Sequence, residues 1–451
     1  MAIGALCSRP DEFVLEANGG LLLPGLHDHH VHLAATAASL SSVQCGPPQV
    51  HDEADLVAAL SISGKGWLRG IGYHEGVAGM IDRHWIDRVA SDRPVRVQHR
   101  SGRLWVFNTF ALDLLLAAAA PSPQLERNAQ GWTGRLFDAD PWLRGALGSI
   151  PPKLDAVGAM LARFGITGVT DMSPLNDDAM ARFFALERDR GALPQRLMLA
   201  GKPELGLDTL PSELAPGPVK LHLHEEHLPD YDATVATIRR AHEQAQTVAV
   251  HCVSEVELVF TLAALRDAGA LTGDRIEHAS VAPDSLIQEI ATLGLSVCVQ
   301  PNFVHERGDA YRTAIPPEDW PALYRLQAFR QAGVPLAGGT DTPFGAADPW
   351  SAMAAATSRR TVAGETLGID EALTPEAALD LFLAHSNDFS KRRQLSVDSE
   401  ADLCLLRAPW GTARANLSAD LVCATIIGGN IVHDSVDQPP GQRGPRIDAT
   451  S

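Results

Sequence analysis

The sequence predicts a (β/α)8 barrel accompanied by a small β-sandwich that takes its strands from both chain ends. Three observations carry this. Short apolar runs alternate with helical patterns roughly eight times. Most of those runs end in histidine, lysine or aspartate, and the two chain ends hold short strand patterns that the alternation does not use.

Taken in order, the runs are "GLLLPGLHDHH", "GITGVTDM", "PQRLMLAG", "GPVKLHLHEE", "TVAVHCVSE", "DRIEHAS", "LSVCVQPN" and "VPLAGGTD". Between them, stretches such as 232–246 and 283–293 repeat apolar residues at spacings of three and four, which predicts helices. The barrel is expected over 24–386. Residues from about 43 to 144 break the pattern with "GWLRGIGYHEG", "PVRVQHRSGRLWVFN" and "NAQGWTGRLFDAD", and read as an insertion after the first strand that covers the barrel mouth. The sandwich is expected from 1–23 and 387–451, using "QLSVDSEADLCLLRAP" and "VCATIIGGNIVHDS". The polar tail "QPPGQRGPRIDATS" reads as disordered.

Composition sets the broad class. With 451 residues, 45% of them apolar and 20% charged, the chain can build a sizeable core. A formal charge of −18 argues against nucleic-acid or anionic-membrane partners, because a polyanion is repelled over most of the surface. The six cysteines form no close pair, which fits a reducing compartment and no disulfide framework. The first residues lack a basic start followed by an apolar core, and no apolar run reaches membrane-spanning length, so a cytoplasmic protein acting on a small molecule is expected.

The chemistry is expected at the C-terminal ends of the strands. In "PGLHDHHVHL" four histidines and an aspartate fall within ten residues. His30 and His32 are two apart, so on a strand both face one cation, whereas His27 and His29 have the opposite parity. Asp28 shares the first parity, as a ligand or as a partner to one. In "VKLHLHEE", Lys220, His222 and His224 share a face turned toward the barrel axis. A buried ammonium is costly unless paired or neutralised, and beside two cations Lys220 is a candidate for carbamylation by carbon dioxide. His251 and His278 each end an apolar strand, and nitrogen donors of this kind suit zinc better than magnesium or calcium. Asp341 follows two glycines in "LAGGTDTP" and is placed to move a proton between a water and a leaving group. Candidate metal ligands are therefore His30, His32, Lys220, His251, His278 and Asp341. Asp341 and His278 are the candidate catalytic groups.

This order of residues resembles the amidohydrolase superfamily, and "WLRGIGYHEG", "WTGRLFD", "HCVSE", "RIEHASVAPDSL", "VQPNF" and "GTDTPFGAADPWSAM" resemble its YtcJ-like, amidohydrolase 3 branch. The resemblance spans nearly the whole chain. It implies hydrolysis of N-acyl or N-formyl amides, a zinc centre of one or two ions, and a homo-oligomer. Some segments depart from it. Tyr73-His74-Glu75 stands where members carry Trp-Asp, and Arg100-Ser101-Gly102-Arg103 where they carry Asp-Gly-His. "HLHEEHLPD" replaces an Asp-Gly and a long loop after the strand-four lysine.

The expected reaction is attack on a carbonyl by water that a divalent ion has acidified, with Asp341 as general base and then acid. His278 or His251 serves as a ligand or stabilises the oxyanion. Lys220 as a carbamate makes the centre binuclear, and as an ammonium leaves it mononuclear. Candidate substrate contacts are Tyr73, His74, Arg100, Trp105, Asn108, His222, His224, His305, Arg307 and Trp350, whose aromatic and cationic character suits an apolar or aromatic substrate with a polar handle. One alternative is a deaminase of an aminoheterocycle. Deaminases of the superfamily place a glutamate three residues after the strand-five histidine, whereas here Glu255 lies four after His251. A decarboxylase or a non-hydrolytic binding protein is the other alternative.

Overall fold

Parallel strands buried on both faces need near-continuous apolar sequence, and this chain supplies it eight times. In the computed structural model, which describes residues 14–47, 49–148, 151–206 and 210–435, each of the eight runs forms a strand of one parallel sheet. In order they are Leu26–Val31, Ile166–Asp171, Arg196–Gly201, Leu214–His222, Val248–Cys252, Arg275–His278, Ser296–Val299 and Leu336–Gly338, here called barrel strands 1 to 8. Each pairs with the next in sequence. Strands 1, 2, 6 and 7 are buried at every residue.

Closure comes from the segment just after strand 8. Thr342 bridges Val31 in parallel, and the Asp341 amide donates to the His30 carbonyl at 2.8 Å. This main-chain bond places Asp341 directly over strand 1. The expected helices appear as Tyr231–Glu243 and Asp284–Thr292. Glu255–Ala268 starts with a capping box, in which Ser254 and Glu257 satisfy each other's backbone amides.

The chain divides into two compact units, Met1–Leu33 with Lys153–Ser451, and Ala34–Pro152. Besides the barrel, the first unit holds a four-stranded antiparallel sheet built from both chain ends. Its strands run in the order Leu22–Pro24, Leu403–Leu406, Val422–Ile427 and Asn430–Asp434. Thr425 Oγ1 donates at 2.6 Å to the carbonyl of Ala162, on helix Asp155–Arg163, so that helix supplies a layer against the sheet. The expected sandwich segment 1–13 and the tail 436–451 lie outside the described residues.

The second unit, Ala34–Pro152, extends the expected insertion at both ends. A six-stranded mixed sheet runs through it, in the order Val43–Gln44, Leu68–Tyr73, Val95–His99, Leu104–Phe107, Gly131–Phe137 and Leu125–Asn128. Strand alternation sends Leu104 and Val106 into one apolar cluster with Trp85 and Ile86. Trp105 and Phe107 go into another with Leu112 and Leu115.

Asn108 is fully buried in this unit. Its Oδ1 accepts from the amides of Val95 and Ala111, and its Nδ2 donates to the carbonyls of Ala90 and Arg93, all at 2.8–2.9 Å. It caps helix Thr109–Ala118 and has no hydrogen-bonding capacity left for a substrate. Asn108→Ala is expected to cost about 2 kcal/mol or more of stability, from the lost cap and the stranded backbone groups. Denaturant melts read this cost, and KM for substrate should stay unchanged.

Among the described residues no helix is long and apolar enough to cross a membrane, and the five described cysteines are free and buried.

Candidate metal centre

The parity of "HDHHVH" is realised as two opposite-facing pairs. His27 and His29 turn away from the lumen: His27 Nε2 lies 2.9 Å from Thr170 Oγ1, and the His29 ring stands edge-on to Phe389 at 5.0 Å. His30 and His32 turn toward Asp341, their Nε2 atoms 3.5 and 3.1 Å from its Oδ1. One ligand atom from each of these three residues lies within 4.8 Å of the others. Asp28 has a different task. Its carboxylate accepts from the Thr340 amide at 3.0 Å, the Thr340 hydroxyl at 2.6 Å and the His30 amide at 3.2 Å, clipping strand 1 to the segment that carries Asp341. Burial pushes the Asp28 carboxyl up to about 7 in spite of those bonds.

From His30 a file of imidazole rings crosses the strand ends. Centroid spacings are 4.8 Å to His278, 4.5 Å on to His251, 4.2 Å to His222 and 4.6 Å to His224. Strand register sets this file, since His222 pairs with His251, and Cys252 with His278. Burial pushes the His30 imidazole down to about 3 and lowers His251 and His278 too, which keeps the rings neutral as ligands must be. Lys220 is 4% exposed and its Nζ has no hydrogen-bond partner. Burial lowers its affinity for a proton, and Glu277 and Asp341 partly offset that. The Asp341 carboxyl is held below the usual range, burial working against that and His30, His32 and His278 working for it. A neutral-nitrogen and carboxylate donor set beside an orphaned buried amine fits a divalent metal.

Two of these residues have left-handed backbone, with φ +72° at His278 and +58° at Asp341. Such conformations cost of order 1–3 kcal/mol each and persist where the surroundings impose them.

Sequence reasoning missed the groups behind the ligands. His30 Nδ1 lies 2.5 Å from Glu277 Oε2, His32 Nδ1 lies 3.1 Å from Ser173 Oγ, and His278 Nδ1 lies 2.7 Å from Gln300 Oε1. A signal for the first was present. "RIEH" puts two opposite charges into a four-residue strand, and buried charges must be paired.

The candidate substrate residues separate into groups. His222 and His224 are exposed at the end of strand 4. Arg307 sits over the Phe303 ring at 3.9 Å and donates to the Phe344 carbonyl at 2.6 Å, and the Phe344 ring stands edge-on to His32 at 5.4 Å. His305, two residues before Arg307, is exposed, its Nδ1 3.0 Å from the Arg360 carbonyl.

Trp350 is corrected to a core residue. It is fully buried, and its indole donates at 3.0 Å to the carbonyl of Phe164, which precedes strand 2 and so lies at the opposite end of the barrel.

In the second unit, Asn108 is corrected to a helix cap, as described above. Trp105 is buried with its indole donating to Asp140 at 2.9 Å, so its polar atom is already used inside that unit. The Tyr73 hydroxyl donates to the Gly79 carbonyl at 2.5 Å, while the residue borders an open hollow of about 320 Å³ with Glu75, His99 and Arg103. His74 caps the short helix Glu75–Ala78 through Nδ1, and Arg100 is exposed.

A closed eight-stranded barrel with histidines, a lysine and an aspartate gathered at its C-terminal strand ends defines a barrel enzyme whose chemistry sits at its mouth. The chain belongs to the amidohydrolase family: the profile described as "Amidohydrolase family" (amidohydrolase 3) matches residues 14–433. It is thus a hydrolase of carbon–nitrogen bonds other than peptide bonds. The chain is 25% identical to an N-substituted formamide deformylase of Arthrobacter pascens, over 94% of this chain and 90% of that one. It is 22% identical to the putative amidohydrolase YtcJ of Bacillus subtilis, over 94% and 91%. Among solved structures, an uncharacterized metal-dependent hydrolase from Pyrococcus horikoshii shares the fold with a TM-score of 0.73 and 21% identity, covering 87% of this chain and 86% of that one.

Proposed function

We propose that this chain hydrolyses the N-acyl or N-formyl amide bond of a small apolar or aromatic compound, using a divalent ion held at the barrel mouth. The observation that carries this reading is the convergence of His30 Nε2, His32 Nε2 and Asp341 Oδ1. These donors suit zinc. Lys220, His251 and His278 lie beside them, and a carbamate on Lys220 gives a second ion an oxygen ligand. The similarity to a formamide deformylase supports the bond type.

A divalent ion in this site acidifies water and polarises a carbonyl. Asp341 then has two tasks. Its carboxylate, kept ionised by the neighbouring imidazoles, takes the proton of the attacking water. The same oxygen, now protonated, delivers that proton to the departing nitrogen, so the amine leaves neutral. His278, its Nδ1 held by Gln300, presents Nε2 to the lumen, where it serves as a ligand or supports the developing oxyanion. Arg307, steadied by Phe303 and the Phe344 carbonyl, offers a cation for a polar handle, and Phe344, 58% exposed, offers an apolar face.

The deaminase alternative needs an acid beside His251. Glu255 is instead exposed in the first turn of helix Glu255–Ala268, and Glu257 is spent on the capping box and on the amides of Val253 and Glu225.

A panel of N-formyl and N-acyl amines, run beside aminoheterocycles and assayed for carboxylate and for ammonia, tests the proposal. Release of formate or another carboxylate with its amine is expected. Ammonia from a ring substrate, with every amide left intact, would sink it.

A further inference from the structure

His30 spends its two ring nitrogens in opposite directions. Nε2 faces Asp341 at 3.5 Å, and Nδ1 lies 2.5 Å from Glu277 Oε2. Glu277 is fully buried, and its other oxygen, Oε1, lies 2.6 Å from Nε of Arg275. Arg275 is buried as well, with its guanidinium over the Phe389 ring at 5.1 Å. Two other lumen histidines have neutral partners at Nδ1, Ser173 for His32 and Gln300 for His278.

We propose that Glu277, anchored by Arg275, is a positioning residue that fixes His30 as its Nδ1–H tautomer and aims the Nε2 lone pair at the metal position. This inference rests on the metal centre proposed above.

The chemistry runs from the carboxylate outward. An ionised carboxylate only accepts hydrogen bonds, so the proton between Glu277 and His30 belongs to Nδ1. A neutral imidazole carries one N–H, which leaves Nε2 with a lone pair directed into the lumen. A carboxylate behind a ligating histidine also raises the ligand's basicity, which serine and glutamine do much less. The Glu277 carboxylate also lies close to Cys298, but its Oε2 is at His30 Nδ1 and its Oε1 sits in the ion pair with Arg275, which places it behind His30.

The backbone supports the same reading. Strand alternation sends Arg275 and Glu277 to one face and would send His278 to the other. The left-handed φ of +72° at His278 turns the chain at that point, and both Glu277 and His278 end up against the His30 ring. A buried ion pair adds little net stability over apolar residues of similar volume, so stability alone is a weak reason for one here.

The test compares zinc affinity, by chelator competition on metal-free protein, in the wild type, Glu277→Gln and Glu371→Gln. Glu371 is a buried control, also paired with an arginine, Arg325, and otherwise bonded to the amides of Leu326 and Ala328 rather than to a ligand. Glu277→Gln is expected to weaken zinc binding roughly 10–100-fold, and Glu371→Gln to leave it unchanged while lowering stability. Because Glu277→Gln strands Arg275, a second measurement needs no variant fold: ¹⁵N NMR of the metal-free wild type should show His30 protonated at Nδ1 and bare at Nε2. Unchanged affinity in Glu277→Gln, or a proton on Nε2, overturns the inference. A wild type that binds no zinc overturns the metal centre itself, so the two failures are distinct.

Discussion

Asp341→Asn lowers kcat by about two to four orders of magnitude and leaves the barrel folded. The loss follows from chemistry. An amide cannot take a proton from water at neutral pH, nor return one to a departing amine. The fold survives because the contact that closes the barrel is made by the Asp341 main chain, through its amide and the His30 carbonyl, and asparagine keeps that bond. Asparagine is also among the side chains that tolerate a φ of +58°. Steady-state kinetics on a cleaved amide, with a thermal melt of the same sample, separates the two effects. A variant within tenfold of wild type would remove Asp341 from the proton path.

Lys220→Ala, purified with bicarbonate, lowers bound metal from two equivalents per subunit to one or none. The Lys220 amine is buried without a hydrogen-bond partner, in a position where an ammonium is costly and a neutral amine is available to add carbon dioxide. A carbamate formed there would offer oxygen ligands to a second ion. Removing the amine also removes a buried polar atom that has no hydrogen-bond partner, so the variant is not expected to unfold. Elemental mass spectrometry reads the ratio. One equivalent in both proteins would leave Lys220 outside the centre and the site mononuclear.

Much of the barrel was legible in the sequence because its strands are buried on both faces, so apolar runs mark them and the polar residues ending each run stand out. His30 and His32 were separable from His27 and His29 by strand parity alone. The residues behind the ligands were not legible in the same way. Glu277 and His278 are adjacent and should face opposite sides, and only the left-handed turn at His278 brings both to His30. Ser173 and Gln300 carry no charge whose burial would draw notice. Trp350 and Asn108 were misread for a common reason: polar-tipped side chains near a predicted mouth look available until their hydrogen-bond partners, Phe164 and four backbone groups, are known. Asp28 shares the ligand parity, and its two bonds to Thr340 could not be foreseen across 312 positions of chain.

The most direct measurement is metal content against amide hydrolysis in the wild-type protein, before and after chelation and again after zinc is restored. At least one bound equivalent per subunit, with hydrolysis lost on chelation and regained with zinc, is the result expected of a centre built on His30, His32 and Asp341. Undiminished hydrolysis by protein stripped of metal would contradict it.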